Sequence, residues 1–384
     1  MSVERLHPSL QYHIVNTMGW PALRPLQAAA IAPLLAGEHA LLLAPTAGGK
    51  TEAAAFPILS RIASERWAPL SVLYLAPLRA LLNNLLPRLE RYTSFTGHRA
   101  ALWHGDIGDG PRRQIITDPP DVLLTTPESL EAMLISRRVD ERWLFANLRA
   151  VIVDEVHAFA AADRGWHVLA VLERLTRIAG RELQRIGLSA TVGNPERLLA
   201  WMTATCHAPA SVIDPPAAAI AEPDVTLDYV GSLDNAATVI SRLHAGEKRL
   251  VFVDSRRRAE ELAAGLHTRD IATFVSHGSL GREERHRAET AFAEADNCVI
   301  VATSTLELGI DVGDLDRVIQ IDSPATVAGF LQRIGRTGRR PGTSRNALFL
   351  ATGKDALLQS AGVLRLWADG VRAYRGEATW APTR

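Results

Sequence analysis

The stretch Ala44-Pro45-Thr46-Ala47-Gly48-Gly49-Lys50-Thr51 joins an apolar run, residues 40–43, to an alanine-rich segment that begins at Glu52. Glycines at a strand-to-helix junction let the backbone curl, so that its N–H groups face an anion at the helix amino terminus. Lys50 then suits the β- and γ-phosphates of a nucleotide, and the Thr51 hydroxyl suits its Mg²⁺. Pro45, Thr46, Ala47, Gly48 and Gly49 would form the cradle, with Ala44 where the general pattern has glycine. A loop of this kind belongs after a strand of an open α/β sheet.

Working outward, further short apolar runs lie at 72–75, 122–124, 151–153 and 185–188, and again at 250–253, 272–275, 298–301, 317–321 and 347–350. They show little alternation, as expected of parallel strands covered on both faces. The fold class predicted is α/β, with two doubly wound domains in tandem. A stretch rich in proline and alanine between them contains Pro215-Pro216 and reads as a linker over 209–225, or as an extended entry to the second sheet, with the domain boundary near residue 220.

At 384 residues the chain suits two domains. Hydrophobic content of 47% and charged content of 22% are those of a soluble globular protein. Two cysteines, Cys206 and Cys298, exclude a disulfide framework and a four-thiolate metal site, and fit a reducing cytoplasm. Neither a signal-peptide pattern nor an apolar run long enough to span a bilayer is seen, so no membrane partner is expected. Formal net charge is zero, which argues against a passive nucleic-acid coat; any strand binding must use a local groove.

Nearly every distinctive polar cluster directly follows one of the apolar runs, where open parallel sheets bind their ligands. After Val151-Ile152-Val153 comes Asp154-Glu155-Val156-His157. Asp154 can reach a hydrated Mg²⁺, Glu155 can orient or deprotonate an attacking water, and His157 can sense the other domain. Ser189-Ala190-Thr191 offers two hydroxyls, Ser189 and Thr191, to link a nucleotide site to a nucleic-acid groove. In Gln332-Arg333-Ile334-Gly335-Arg336-Thr337-Gly338-Arg339 the arginines at 336 and 339 are three apart. On a helix they would share one face and suit the charge on a transferring γ-phosphoryl group.

The succession of Gln27, Pro45–Thr51, Pro77–Ala80, Thr126-Pro127-Glu128-Ser129, Asp154–His157, Ser189–Thr191, Val301–Asp311 and Gln332–Arg339 resembles the superfamily 2 DExH/DEAD helicases over nearly the whole chain. Within that group, the segments 187–196 and 304–311, with His277-Gly278-Ser279-Leu280, most resemble the Lhr (large helicase-related) family. The resemblance implies two RecA-like domains, 1–208 and 226–371, flanking the linker, with 372–384 as a tail. It implies that Gln27 hydrogen-bonds adenine and that Gly309 and Asp311 touch nucleotide and strand. Gln332 would lead the arginine motif. Pro77, Arg79, Thr126, Pro127, Asp254, Ser255, Arg256, His277, Gly278, Ala302 and Thr303 would grip a nucleic-acid backbone. Arg256-Arg257-Arg258 also reads as a solvated helix start behind a Ser255 cap.

Lhr proteins continue beyond the second motor domain into a winged helix and a helical region. The chain therefore reads as a truncated or split motor core, or as one that borrows those parts from a protein partner, with the tail a truncated link to them. Only the segment 323–331 separates the run ending at Ile321 from Gln332, so no long strand-splitting hairpin is expected there. Three readings stay open. One is an ATP- and Mg²⁺-dependent translocase on single-stranded or partly duplex DNA, moving 3′ to 5′ in DNA repair or genome maintenance. The others are an RNA-dependent ATPase and an ATP-gated scaffold in a repair or defence assembly.

Overall fold

The computed structural model describes residues 3–45, 48–160, 163–190, 192–216, 223–276, 292, 295, 297–303, 315–338 and 343–369. The chain divides into two compact units, with the boundary between Ala218 and Ala219.

Seven strands of the first unit form one sheet: β1 His39–Leu43, β2 Val72–Leu75, β3 Ala100–Trp103, β4 Val122–Thr125, β5 Ala150–Val153, β6 Gln184–Ser189 and β7 Ala210–Ile213. Their spatial order is β3-β4-β2-β5-β6-β1-β7, and each pairing is parallel. The five strands that the apolar runs predict are all present and fully buried. Strand β3 escaped the sequence reading because it lies at an edge, where half of its residues are only partly buried.

The helices are α1 Pro8–Tyr12, α2 Pro25–Leu35, α3 Lys50–Glu65, α4 Arg79–Ser94, α5 Asp109–Thr117, α6 Pro127–Ile135, α7 Glu141–Leu144, α8 Val156–Ala160, α9 Asp163–Ala179 and α10 Pro195–Met202. Successive side chains of a strand point to opposite faces. Ala40 and Leu42 therefore enter one core with α2, α3 and α4, while Leu41 and Leu43 enter another with α6, α9 and α10.

The predicted linker over 209–225 needs correction, because it contains β7 and the start of β8. The proline and alanine content concealed a strand held by local hydrogen bonds. His39 N donates to Pro209 O at 2.8 Å, and Glu182 accepts from the backbone N–H groups of His207 and Ala208 at 3.0 and 2.9 Å. These donors hold the Glu182 carboxyl down at about 2, although its partial burial acts the other way.

The second unit repeats the architecture with β8 Asp224–Tyr229, β9 Lys248–Phe252, β10 Thr273–Ser276, β11 Cys298–Ala302, β12 Arg317–Ile321 and β13 Asn346–Ala351. The order is β10-β11-β9-β12-β13-β8, again with parallel pairings. Its five predicted strands are present, and β8, which follows the stretch read as a linker or extended entry, is a mostly exposed edge strand. Arg249 is fully buried on β9, and it donates to the carbonyls of Ile240 and Leu243 and to Asn297 Oδ1. A buried guanidinium placed this way closes chain ends that would otherwise leave carbonyls unpaired.

Replacing Glu182 with alanine removes the acceptor that pins residues 207 and 208. The expected outcome is hydrogen exchange about tenfold or more faster for the β7 amides, with β5 and β6 unchanged. Unaltered protection of β7 in a mass-spectrometric exchange experiment would refute this anchoring.

Candidate functional site

The loop after β1 has the geometry of a phosphate cradle. Gly49 is left-handed at φ 82° and caps α3, and Lys50 begins the helix. A Cβ at Gly48 would come within 2.5 Å of the Ala44 Cβ and 2.8 Å of Pro45 O, so only glycine fits. Lys50 Nζ folds over the loop and donates to Ala44 O at 2.8 Å and Pro45 O at 3.2 Å. Thr46 and Ala47 lie outside the described residues.

Gln27 closes one side of this loop. It is 2% exposed, and its Oε1 accepts from Arg24 N at 2.9 Å. That bond fixes the amide orientation, leaving Nε2 buried and without a protein acceptor. A Cβ at Gly49 would lie 2.5 Å from the same Nε2, so amide and loop are directly adjacent. A buried unpaired donor beside a glycine cradle fits a nucleotide base with its phosphates.

The acidic pair stands at the end of β5, two strands from β1. Asp154 is 8% exposed; it accepts from Tyr74 Oη at 2.8 Å and from Glu155 N at 2.9 Å. Burial, and then the neighbouring Glu155 charge, push the Asp154 carboxyl up to about 6, while Tyr74 and Lys50 act in the opposite direction. Tyr74 is fully buried on β2, with the Thr51 side chain close by. It donates to Asp154 and stands near Thr51, the two residues expected at the metal. The sequence reading missed Tyr74 because a tyrosine inside an apolar strand looks like core. The one available signal was that its hydroxyl needs a buried partner.

Glu155 takes a left-handed backbone at φ 46°, uncommon for a non-glycine residue and found where a site fixes a side chain. Its Oε2 lies 3.5 Å from His157 Nδ1, which in turn lies 2.9 Å from Ser189 Oγ. Burial, with the Lys50 charge, lowers His157 to about 4, so it is neutral at pH 7 and its contact with Glu155 is not an ion pair. The structure therefore brings together Asp154, Glu155, His157 and Ser189. Thr191 lies outside the described residues.

A second cluster occupies the carboxyl ends of β2, β3 and β4. Arg79 opens α4 and pairs with Asp106 at 2.7 Å, its guanidinium lying beside Gly105. Thr126 caps α6 by accepting from Ser129 N, and Pro127 is its first residue. Pro77 O accepts from Arg164, which also pairs with Glu128. The sequence reading identified Pro77, Arg79, Thr126 and Pro127, and missed Gly105, Asp106 and Arg164. Those three lie in ordinary loop and helix contexts and join the cluster only through tertiary contacts.

In the second unit, Asp254 and Arg256 are exposed after β9, and Ser255 caps helix Arg256–His267 through Arg258 N. Arg258 pairs with Asp322 at 2.6 Å and donates to Thr352, so it serves the fold. Ala302 ends β11 and Thr303 follows it, both buried. Gln332 lies on helix Val327–Ile334. That helix ends with Gly335 as its cap, so the expectation of one helix carrying both arginines is corrected for Arg336. Thr337 Oγ1 donates to Ile334 O and Asn346 O, and Gly338 at φ 67° turns the chain away. Arg336 is 5% exposed. His277, Gly278, Gly309, Asp311 and Arg339 lie outside the described residues.

His39, Glu182 and Cys206 have ligand atoms within 4.8 Å of one another. They do not form a metal centre of ordinary chemistry. His39 Nδ1 accepts from Arg185 N at 2.9 Å, so Nε2 carries the proton and donates to Glu182 at 2.8 Å. Neither nitrogen has a spare lone pair for a metal.

The DEAD/DEAH box helicase profile matches residues 24–198, and that of the helicase conserved C-terminal domain matches residues 232–341. The chain belongs to the superfamily 2 DExH/DEAD-type helicases. Within them it is most similar to the Lhr motor core. An Lhr helicase/probable uracil glycosylase of Mycolicibacterium smegmatis is 34% identical over 94% of this chain and 28% of its own length. An ATP-dependent helicase Lhr-Core protein 2 of Thermococcus barophilus is 32% identical over 87% and 42%. The structure of Mycobacterium smegmatis helicase Lhr bound to ssDNA and AMP-PNP superposes with a TM-score of 0.83 at 33% identity, covering 96% of this chain and 50% of that one. The chain thus spans half or less of these relatives. No helix among the described residues is long and apolar enough to cross a membrane.

Asp154 also makes a stability prediction. Its folded-state value, about 6, exceeds the ordinary 3.8, so its contribution is fully present below pH 3.8 and lost as the pH rises through 6. Asp154→Asn is expected to raise stability at pH 8 by about 1–3 kcal/mol, with the gain vanishing near pH 4. Thermal unfolding without nucleotide or divalent cation tests this, and a lower Tm at pH 8 would contradict it.

Proposed function

We propose that this chain is the motor core of a nucleic-acid-stimulated ATPase that moves along single-stranded DNA. The observation carrying the proposal is the convergence of Gln27, Lys50, Thr51, Tyr74, Asp154 and Glu155 at the carboxyl ends of β1, β2 and β5. In this reading Gln27 Nε2 donates to the base, the loop N–H groups and Lys50 hold the phosphates, and Glu155 takes the proton of the attacking water. A bond forms between the water oxygen and the γ-phosphorus as the bond to the bridging oxygen breaks. Thr51 and Asp154 would hold Mg²⁺, which when bound neutralises charge on the β- and γ-phosphates. Neutral His157 is hydrogen-bonded to Ser189 on β6 and lies 3.5 Å from Glu155, between the hydrolytic carboxylate and the sheet.

Arg336 and Arg339 are assigned to the charge on the transferring γ-phosphoryl group. Pro77, Arg79, Thr126 and Pro127 are assigned to the strand backbone, with Asp254, Ser255, Arg256, His277, Gly278, Ala302 and Thr303 in the second unit. DNA is favoured by the similarity to a helicase solved with single-stranded DNA. Movement from 3′ to 5′ and a role in DNA repair within the cytoplasm extend the reading along the resemblance to Lhr.

Lys50→Ala and Glu155→Gln are each expected to lower strand-stimulated ATP turnover by about a hundredfold or more. Turnover at the parental rate in either variant would refute the site. Arg336→Lys is expected to reduce kcat by about a thousandfold with KM little changed, because a lysine cannot reproduce the guanidinium fork. Stimulation by DNA and RNA oligonucleotides of one sequence, measured across a salt series, checks the substrate. DNA should stimulate more strongly, and affinity should fall log-linearly with salt. Stronger stimulation by RNA would overturn the DNA assignment.

A further inference from the structure

Beside the proposed strand-binding edge lies a groove of about 640 Å³ between α5 and α6 that no assigned role uses. Ile116, Met133 and Val139 supply its apolar floor, and Arg112, Arg113 and Arg138 its positive charge against one acid, Asp109. We propose that this groove is an additional nucleotide subsite, taking one unpaired base of the bound strand on the floor and the adjoining phosphates at Arg113 and Arg138. The inference rests on the strand-binding reading above and extends it to a site that is not a backbone grip.

Three observations favour this occupant. The groove is continuous with the strand edge: Gly105, in its wall, lies against the Arg79 guanidinium, and Ser129, also in its wall, is bonded to the Thr126 cap. Arg112 is part of the wall, since Nη2 donates to His104 O at 2.9 Å and Gly105 O at 3.0 Å and the guanidinium lies 5.8 Å from the Trp103 ring. Finally, Arg113 and Arg138 are exposed, as phosphate contacts must be when a strand arrives from solvent. An acidic peptide would share the charge preference but would not account for the continuity with Arg79 and Thr126.

Oligothymidylates with a single abasic residue, moved along the strand one position at a time, test the proposal by fluorescence anisotropy on the full chain. One position is expected to lose about tenfold in affinity, the range for removing one stacked base. In Arg113→Glu/Arg138→Glu, whose exposed side chains put the fold at little risk, the penalty at that position should disappear. Ile116→Trp, at the partly exposed part of the floor, should remove it as well. A 4-thiothymidine at the sensitive position should crosslink to residues 109–117 or 129–139. An abasic profile that is flat in the parent, or identical in the charge-reversed variant, would overturn the subsite while parental strand-stimulated turnover persists. Absence of both strand binding and stimulated turnover in the parent would instead defeat the strand-binding reading itself.

Discussion

A carboxylate kept out of water at the end of β5 is the constraint around which the first unit is organised. Asp154 is buried and close to another carboxylate, and both conditions disfavour its charge. It is held by a phenol, a backbone N–H and the field of Lys50. These three come from β2, from the turn after β5 and from the helix after β1. Compensation of this one charge therefore requires three strand ends to be in register. A parallel sheet provides that register, because all its carboxyl ends lie on one edge.

The same edge separates two tasks. In the first unit Lys50, Thr51, Asp154 and Glu155, assigned to the nucleotide, follow β1 and β5, whereas Pro77, Arg79, Thr126 and Pro127, assigned to the strand, follow β2 and β4. Strand β2 serves both, since Tyr74 joins the acidic pair while Pro77 and Arg79 begin the other cluster. A second tie runs through the helices. Glu52, directly after Thr51, is almost wholly buried and accepts from Arg88 and Tyr92 of α4, the helix that Arg79 opens. Breaking a buried charged contact of this sort is costly, so α3 and α4 are coupled mechanically as well as by proximity.

Much of the fold was legible because buried parallel strands have an unmistakable composition. All ten largely apolar runs became strands, and a small polar or a glycine or proline turn follows most of them. Three strands were hidden for one shared reason. β3, β7 and β8 lie at sheet edges, where burial is partial and the apolar run is short or mixed with polar residues. The linker reading failed at Ala210–Ile213 because Pro209 does not prevent its carbonyl from accepting a ladder bond. A glycine likewise ended the helix before Arg336, which spacing alone placed on a continuing helical face.

The sequence by itself determined the phosphate loop, the acidic pair and the order of strands along the chain, because each depends on residues adjacent in sequence. Gly48 and Gly49 curl a backbone wherever they occur, and a carboxylate after an apolar run is placed at a strand end by the run. Only the tertiary structure decided that Tyr74 would donate to Asp154, that Gln27 would face Gly49, and that Arg112 would wall a groove beside Gly105. Those pairings depend on which strands and helices become neighbours. Neighbourhood is set by the burial of apolar faces over the whole unit, and no local stretch of sequence carries that information.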